Sequence, residues 1–445
     1  MDGGEFVHIK ELKLQNFRCF ETLDMVFPER YAVLIGINGS GKSSVLDALS
    51  IALGSFLAGC GLNTTNLHKS DVRFRVYDQN DGRRPEIYIP NREPQYPVRI
   101  QSKMLAGDGE EIGWARALNS ENGRTTIGEA RPIMDYAESL NLRVRKNEPV
   151  IMPFIAYYGT GRLWLPKRSK RHAAISKIPS RLRGYLDSLD AASNEKLMLE
   201  WFQRMAAIEY KTKRNTGEPL AVFQAVKHAM ARFYADVDEN IQDVAVEYDM
   251  AYLDIEICVT WKNGEQVSLP LRYFSDGIKS MLSMVSDIAY RMATLNPQLG
   301  ANVIEETDGV VLIDEIDMHL HPSWQKKILQ KLCKTFPRLQ FVVTTHAPAV
   351  LANVPGDHIL FLERGKVYDS PARTYGRDST AILRDVMGTE IRPDEVLDKI
   401  EEFYHSLQAA DFSAADGVLE GLRSILGEDD EDIVRMQVSL DLEKM

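Results

Sequence analysis

The sequence predicts an α/β fold, in which a mixed sheet with an antiparallel β lobe carries a helical insertion and a C-terminal helical appendage. Two observations predict this architecture. An apolar run over 31–35 leads into the loop Gly-Ile-Asn-Gly-Ser-Gly-Lys-Ser and then into a helical pattern over 44–53, which is the strand–loop–helix order of a phosphate-binding sheet. Two later apolar runs, over 309–313 and 339–345, have the length and continuity of strands that are buried on both faces.

The remaining strands follow from alternating patterns. The N-terminal segment alternates polar and apolar residues, which predicts a small antiparallel sheet that includes the strand over 31–35. A second strand pair is expected at 98–105 and 111–118, joined by a glycine-rich turn at 106–109, and a buried strand is expected at 150–158. The second half of the chain adds predicted strands at 243–248, 252–261 and 266–271.

Two groups of helices are expected outside the sheet. Apolar positions at helical spacing over 186–205 and 219–234 predict a helical insertion that is far too short for a long coiled coil. Three C-terminal helices are expected at 393–407, at 412–426 with Asp411 as N-cap, and at 433–442. The predicted domains are the N-terminal part of the head (1–170), the helical insertion (171–240), the C-terminal part of the head (241–378) and a C-terminal helical region (379–445).

Composition indicates a soluble protein that stays in the cytoplasm. The N-terminus lacks an apolar signal region, and no run approaches the roughly 18 apolar residues of a membrane span. The four cysteines are scattered without a Cys-x-x-Cys pair, which argues against a zinc site or a disulfide framework. The 53 basic and 64 acidic residues give a net charge of −11, so any contact with nucleic acid requires a local basic patch.

The loop over 36–43 is a complete GxxxxGK[ST] motif and predicts a site for ATP with Mg²⁺. Its glycines allow backbone N–H groups to curve around phosphate oxygens, Lys42 can reach the β- and γ-phosphates, and the Ser43 hydroxyl can ligate Mg²⁺. The residues expected to contact the nucleotide here are Gly36, Asn38, Gly39, Ser40, Gly41, Lys42, Ser43 and Ser44.

Asp314 and Glu315 directly follow the apolar strand over 309–313. A buried strand delivers its C-terminal residues to the open edge of an α/β sheet, where Asp314 can hold Mg²⁺ and Glu315 can orient or deprotonate the attacking water. The alternative is a strand end whose carboxylates are simply solvated. The phosphate loop earlier in the chain favours the catalytic interpretation.

The segment Tyr273-Phe274-Ser275-Asp276-Gly277-Ile278-Lys279 precedes a further helical pattern and resembles the signature motif of the ATP-binding-cassette (ABC) superfamily. Ser275 and Gly277 match the signature Ser and second Gly, whereas Asp276 replaces the first Gly. The resemblance implies an ABC-type P-loop ATPase head, in which this helix N-terminus meets the γ-phosphate of a nucleotide held by a second subunit. A plain helix cap at Ser275 is the alternative interpretation.

Three further residues take their predicted roles from the same resemblance. His346, which follows the strand over 339–345, matches the switch histidine that contacts the γ-phosphate, and Asp317 falls where the ABC D-loop crosses to the partner subunit. Together with Asn16-Phe17-Arg18, these motifs resemble the RecF/OLD-like branch, in which Arg18 would lie near the nucleotide. No glutamine stands at the end of the strand over 150–158, where the Q-loop glutamine is expected.

The resemblance also indicates a partner. The stretch Tyr157-Tyr158-Gly159-Thr160-Gly161-Arg162-Leu163-Trp164 resembles phage-defence ATPases of the Septu type, which work with a separately encoded HNH nuclease. OLD proteins carry a C-terminal nuclease, whereas the segment after Arg377 has helical patterns, so we expect no nuclease domain in this chain. We expect the C-terminal helices to dock the nuclease partner, and a helical cap on the chain's own sheet is the alternative.

One basic cluster could follow the phosphate backbone of DNA, although a solvated loop is the alternative. Its members are Lys167, Arg168, Lys170, Arg171, His172, Lys177, Arg181 and Arg183. The sequence thus predicts an ATPase that acts as a homo-oligomer of at least two subunits and regulates a nuclease in anti-phage defence. A nucleotide-gated scaffold with negligible turnover and a RecF-type DNA-repair ATPase are the alternatives.

Overall fold

The computed structural model describes residues 6–77, 91–163, 181–190, 195–235, 239–369, 374–388 and 392–444. They form two compact units, Met1–Asp378 and Ser379–Met445. The strands, all in the first unit, are β1 (His8–Phe17), β2 (Phe20–Val26), β3 (Tyr31–Ile35), β4 (Phe74–Tyr77), β5 (Asn91–Pro94), β6 (Val98–Leu105), β7 (Glu111–Leu118), β8 (Phe154–Tyr158), β9 (Ile241–Asp249), β10 (Asp254–Trp261), β11 (Gln266–Pro270), β12 (Gly309–Ile313), β13 (Leu339–Thr344), β14 (Ile359–Glu363) and β15 (Lys366–Asp369).

Helices cover the strands of the first unit and make up the second unit. Those of the first unit are α1 (Lys42–Gly59), α2 (Arg131–Arg145), α3 (Glu195–Thr216), α4 (Ala221–Ala235), α5 (Asp276–Leu295), α6 (Val303–Glu306), α7 (Pro322–Gln325), α8 (Ile328–Thr335) and α9 (Pro348–Leu351). Those of the second unit are α10 (Ser379–Asp385), α11 (Asp394–Gln408), α12 (Phe412–Leu426) and α13 (Glu431–Glu443). None of these described helices is both long and apolar enough to span a bilayer.

The main sheet has six strands in the order β15-β14-β3-β13-β12-β8, and all neighbours except β15 and β14 are parallel. Every residue of β8, β12 and β13 is buried. Continuous apolar sequence is what a strand covered on both faces requires, which confirms the buried strands predicted here. Because the strands are parallel, their carboxyl ends meet at one edge, with Ile313 opposite both Val343 and Tyr158.

A second sheet is antiparallel, in the order β2-β1-β6-β7, and forms the predicted β lobe. The predicted pair at 98–105 and 111–118 is confirmed, and β6 also pairs with β1. The strand over 31–35 was expected in this lobe, and that expectation is wrong. Strand β3 is apolar at consecutive positions rather than alternate ones, and it pairs in parallel with β13 and β14 of the main sheet.

Helix α1 contacts strands of both sheets, β8, β12 and β13 on one side and β6 and β7 on the other. Its sequence is apolar nearly all round, and its residues from Ala48 to Leu57 are all buried. A helix of that kind belongs between two layers rather than on a surface. The position of α1 therefore links the lobe to the main sheet.

The predicted helical insertion is present but begins later than expected. The first helix was expected from residue 186, whereas α3 begins at Glu195. Residues 186–190 form turns, and Asp187 has a φ of 55°, which a right-handed helix cannot accommodate. The predicted domain boundary at 170/171 lies outside the described residues, and the four-part division of the chain stays a prediction.

Arg181 was expected to belong to an exposed basic cluster, and the structure corrects this. Its guanidinium donates to the carbonyl oxygens of Leu295 at 2.6 Å and Val150 at 2.8 Å, so it joins the segment before β8 to the end of α5. Burial lowers the pKa of Arg181. The members of the cluster from 167 to 177 lie outside the described residues.

The second unit has an apolar core of its own, which includes Phe403, Leu422, Met436 and Leu440. The three predicted C-terminal helices are confirmed as α11, α12 and α13. The predicted cap is also present, because Asp411 Oδ1 accepts a hydrogen bond from the backbone N–H of Ala414 at 3.0 Å.

Gln340 joins the two sheets of the first unit. It is the second residue of β13 and is fully buried. Its Oε1 accepts from the backbone N–H of Ile9 at 2.8 Å, and its Nε2 donates to the carbonyl oxygens of Ile9 and Pro28, both at 2.9 Å. One side-chain amide thus satisfies backbone groups of β1 that would otherwise be buried without partners.

Replacement of Gln340 by Leu should lower the free energy of unfolding by about 2–4 kcal/mol, because three buried backbone groups lose their partners. Urea denaturation measures this change. The matched control is Gln330→Leu, which alters an exposed glutamine and should change stability by less than about 0.5 kcal/mol. Equal stability of the two variants would contradict a role for Gln340 in joining the sheets.

Candidate functional site

The loop between β3 and α1 has a backbone that only glycine permits at key points. Gly41, the N-cap of α1, has a φ of 102°. A Cβ at this position would lie 2.4 Å from the Phe20 ring and 2.7 Å from Cys19 Sγ. The β1–β2 turn therefore packs against the start of α1 and leaves no room for a side chain at position 41.

Lys42 is buried at the start of α1 and points back into the loop. Its Nζ donates to the carbonyl oxygens of Gly36 at 2.8 Å and Ile37 at 3.1 Å. Burial lowers its pKa, and the nearby charges of Asp314 and Glu315 oppose that shift. The ammonium is therefore held at the mouth of the site between the loop and the two carboxylates.

Ser40 provides a test of whether the loop fits a phosphate. Its side-chain oxygen is buried and has no hydrogen-bond partner among the residues that the structure describes. A buried hydroxyl without a partner is uncommon in folded proteins, and a phosphate oxygen in the loop would satisfy it. Asn38, Gly39 and Ser43 are exposed in the same loop, so the donor set fits the polyphosphate of ATP.

Asp314 and Glu315 lie at the carboxyl end of β12, as predicted, and one threonine holds both. Thr344 Oγ1 donates to Asp314 Oδ1 at 2.6 Å and accepts from the backbone N–H of Glu315 at 2.7 Å. Glu315 has a φ of 47°, a left-handed conformation that a non-glycine residue adopts only when its surroundings impose it. Asp314 is buried and Glu315 is half-buried, so only the second is open to solvent water.

His346 lies past the end of β13, near the same charges. Burial lowers its pKa, Lys42 lowers it further, and the carboxylates of Asp317, Glu315 and Asp314 oppose both effects. A neutral imidazole at this position can accept or donate a hydrogen bond. Four other predicted residues, Lys42, Asp314, Glu315 and Asp317, thus lie within electrostatic range of His346.

The turn after Glu315 is fixed by the second of two consecutive threonines. Thr345 Oγ1 donates to Asp317 Oδ1 at 2.5 Å. The Asp317 carboxylate therefore makes a hydrogen bond within the same subunit. Thr344 and Thr345 were not predicted as site residues. Their hydrogen-bond partners, Asp314 and Asp317, lie 30 and 28 residues earlier in the sequence, so no local pattern identified the two threonines.

The signature segment lies at the start of α5. Ser275 is exposed at the N-cap position, and its side chain makes no capping hydrogen bond. Asp276 is exposed in the first turn, whereas Gly277 is buried, and a Cβ on Gly277 would lie 2.3 Å from the carbonyl oxygen of His319. The described contacts therefore place Gly277 against the turn after Asp317 and leave Ser275 and Asp276 on the surface.

Arg18 does not point freely into the phosphate loop. Its guanidinium donates to Asp47 Oδ2 at 2.5 Å and to Asp71 Oδ1 at 2.9 and 3.0 Å. It lines a cavity of about 520 Å³ beside α1 that contains none of the phosphate-loop residues 36–44. Contact of Arg18 with nucleotide stays a prediction. Ser44, the last predicted contact residue, lies beside Cys19.

Two family models match parts of this chain. One family model, described as an AAA domain, matches residues 11–218. A second, described as "AAA domain, putative AbiEii toxin, Type IV TA system", matches residues 131–352. Both matches include strands of the main sheet, and each includes one half of the site.

Individual relatives extend the similarity along the chain. Retron Ec83 probable ATPase of Escherichia coli is 25% identical over 99% of this chain and 88% of its own length. Septu protein PtuA of Bacillus thuringiensis is 30% identical over 38% of this chain and 44% of its own length. OLD nuclease of Thermus scotoductus is 24% identical over 83% of this chain and 64% of its own length.

The predicted resemblance to ABC-type ATPases of the RecF/OLD-like branch is confirmed. The parallel sheet, the antiparallel lobe and the helices of the first unit have the architecture that this resemblance predicts. In the first unit, Lys42, Asp314, Glu315 and His346 meet at one edge of the sheet, whereas Ser275 lies at the separate start of α5. Ser43 and Asp314 are the residues that could hold Mg²⁺.

Replacement of Thr344 by Val should lower the free energy of unfolding by about 2 kcal/mol, because Asp314 and Glu315 each lose a hydrogen bond. Thr344→Ser retains the hydroxyl and should remain close to wild type. Chemical denaturation of the three proteins tests this expectation. If the Val variant were as stable as the Ser variant, the hydroxyl would have no part in fixing the two acids.

Proposed function

We propose that this chain hydrolyses ATP in a composite site between two copies of itself, and that closure of the two copies regulates a separate nuclease in anti-phage defence. The observation that carries the proposal is the convergence of Lys42, Asp314, Glu315 and His346 at one sheet edge. Similarity along 99% of the chain to a retron ATPase, and in part to a Septu protein, supports the defence role.

The roles of the residues follow from their chemistry. Lys42 and the backbone N–H groups of the loop bind the β- and γ-phosphates. Mg²⁺, when bound by Ser43 and Asp314, neutralises charge on the phosphates. Glu315 orients or deprotonates the attacking water, and the neutral imidazole of His346 donates a hydrogen bond to the γ-phosphate. The half-buried setting of Glu315 supports its role, since it is accessible to water yet close to Lys42.

The second copy supplies the other half of the site. Ser275 is exposed at the N-terminus of a 20-residue helix, and its hydroxyl is not used for capping, so both the hydroxyl and the helix dipole are available to an anion. Asp276 also lies on this surface, and Asp317 lies in the turn beside it. We place the γ-phosphate of the partner's nucleotide against Ser275 and the backbone of this first turn.

The proposed nuclease partner follows from the resemblance to Septu-type ATPases. Septu-type ATPases work with a separate HNH nuclease, and the independent core of α11–α13 gives the chain a compact unit that such a partner could bind. Co-purification with a nuclease encoded by a neighbouring gene is the direct test. Replication genes in its place would favour the RecF-type repair function.

Replacement of Glu315 by Gln should leave the affinity for ATP within about twofold of wild type and lower single-turnover hydrolysis by at least about a hundredfold, because water activation is lost while Asp314 is retained. Lys42→Ala is the contrasting variant and should lose binding itself. Titration with a fluorescent ATP analogue and quench-flow measure the two quantities. Negligible turnover by the wild-type protein, with binding intact, would favour the nucleotide-gated scaffold.

A mixture of Ser275→Arg and Lys42→Ala chains should regain ATPase activity that neither variant has alone. One mixed site would combine an intact phosphate loop from the first chain with an intact signature segment from the second. The control is a mixture of Lys42→Ala and Glu315→Gln, in which both changes fall in the same half of the site and no working site can form. If the first mixture stayed inactive although light scattering showed mixed dimers, the trans arrangement would be wrong.

A further inference from the structure

We infer that Tyr157 and Tyr158 are positioning residues that couple the helix of the phosphate loop, α1, to the helix of the signature segment, α5, across strand β8. The inference rests on the proposed function, because the coupling would transmit the effect of ATP binding from α1 to α5. Consecutive side chains of a strand point to opposite faces of its sheet. The two tyrosines therefore reach the two helices from one point on the edge strand of the main sheet.

On the first face, Tyr157 binds the phosphate-loop helix. Its hydroxyl donates to Asp47 Oδ1 at 3.0 Å, and Asp47 lies in the second turn of α1, five residues after Lys42. The other oxygen of Asp47 accepts from Arg18 at 2.5 Å. Burial raises the pKa of Tyr157, so its hydroxyl remains a donor at any physiological pH.

On the second face, Tyr158 binds the signature helix in the same way. Its hydroxyl donates to Asp287 Oδ2 at 2.7 Å, and Arg291 Nε donates to the same oxygen at 2.7 Å. Arg291 also donates to the carbonyl oxygens of Gly184 and Leu186. Each tyrosine thus ends on an aspartate that is paired with an arginine, and on the α5 side all three groups are buried.

The backbone of Tyr158 also reaches Asp314. The carbonyl oxygen of Tyr158 accepts from the backbone N–H of Asp314 at 2.8 Å. A displacement of α1 or of Asp314 is therefore passed to β8 through one hydrogen bond and from β8 to α5 through another. Hydrogen bonds to charged groups are stronger than those between neutral groups, so the three elements should move together rather than independently.

A structural role and a coupling role make different predictions. If each hydroxyl only stabilised its own face, the effects of removing them would multiply. If they act in series, removal of either one interrupts the whole connection, and removal of both does no further harm. The nucleotide response of α5 is the quantity that separates the two cases.

The experiment measures amide hydrogen exchange with and without the Mg²⁺ complex of a non-hydrolysable ATP analogue. All chains carry Ser275→Arg, so that protection of α5 cannot come from a second copy. In this background we expect the analogue to slow exchange in α1 and in α5. Tyr157→Phe, Tyr158→Phe and the double variant should each keep the response of α1 and reduce that of α5 by about tenfold, with the double variant equal to the single ones.

We call the hydrogen bonds of Tyr157 to Asp47 and of Tyr158 to Asp287 the relay. Tyr185→Phe is the matched control, because the Tyr185 hydroxyl is also buried but lies outside the relay. It donates to the backbone carbonyl of Pro153 at 2.5 Å. It should leave the response of α5 unchanged. Without Ser275→Arg, kcat should fall about tenfold in both relay variants, with the affinity for ATP within about twofold.

An unchanged α5 response in either relay variant, multiplicative effects in the double variant, or an equal loss in Tyr185→Phe would each overturn the relay. If the analogue slows exchange in α1 but not in α5 of the Ser275→Arg chain, the relay is wrong, and the proposed function is not affected. Failure of that chain to bind the analogue would overturn the proposed function, and the relay with it. If Tyr158→Phe does not fold, Tyr157→Phe decides the question by the same α5 response.

Discussion

The burial of the main sheet on both faces is the constraint on which the rest of the molecule depends. Strands β8, β12 and β13 have no exposed residue, so polar chemistry can lie only where the strands end. Because these strands run in parallel, their ends coincide, and residues far apart in sequence meet there. The same burial explains why the side chain of Gln340, the polar residue inside β13, is fully hydrogen-bonded to backbone groups.

The charged and titratable side chains at the sheet edge interact with one another. Lys42 loses solvation at the base of the loop and is balanced by Asp314 and Glu315. The carboxylates are in turn fixed through Thr344, and the lysine lowers the pKa of His346. In a poorly solvated site these interactions are stronger than in water, so removal of the Lys42 charge should raise the pKa of His346.

Sequence reasoning recovered what depends on local pattern and missed what depends on contacts between distant elements. The strands at 98–105, 111–118 and 309–313 and the C-terminal helices were predicted because periodicity and turn residues are local signals. The sheet to which β3 belongs was predicted wrongly, since pairing partners are not encoded in a five-residue run. Thr344, Asp47 and the internal role of Arg181 could not be predicted, because each is defined by a partner remote in sequence.

The contact of Gly277 with the carbonyl oxygen of His319 has an evolutionary consequence. Position 277 is constrained from inside a single chain, because any side chain there would displace the following turn. Positions 275 and 276 are exposed, and only a second molecule can constrain them. Under the proposed composite site, drift in a lineage that had stopped turning over ATP would therefore first replace Ser275 while Gly277 persisted. In such a lineage, Gly277 would be retained because the fold requires it, whereas Ser275 would be lost together with the activity.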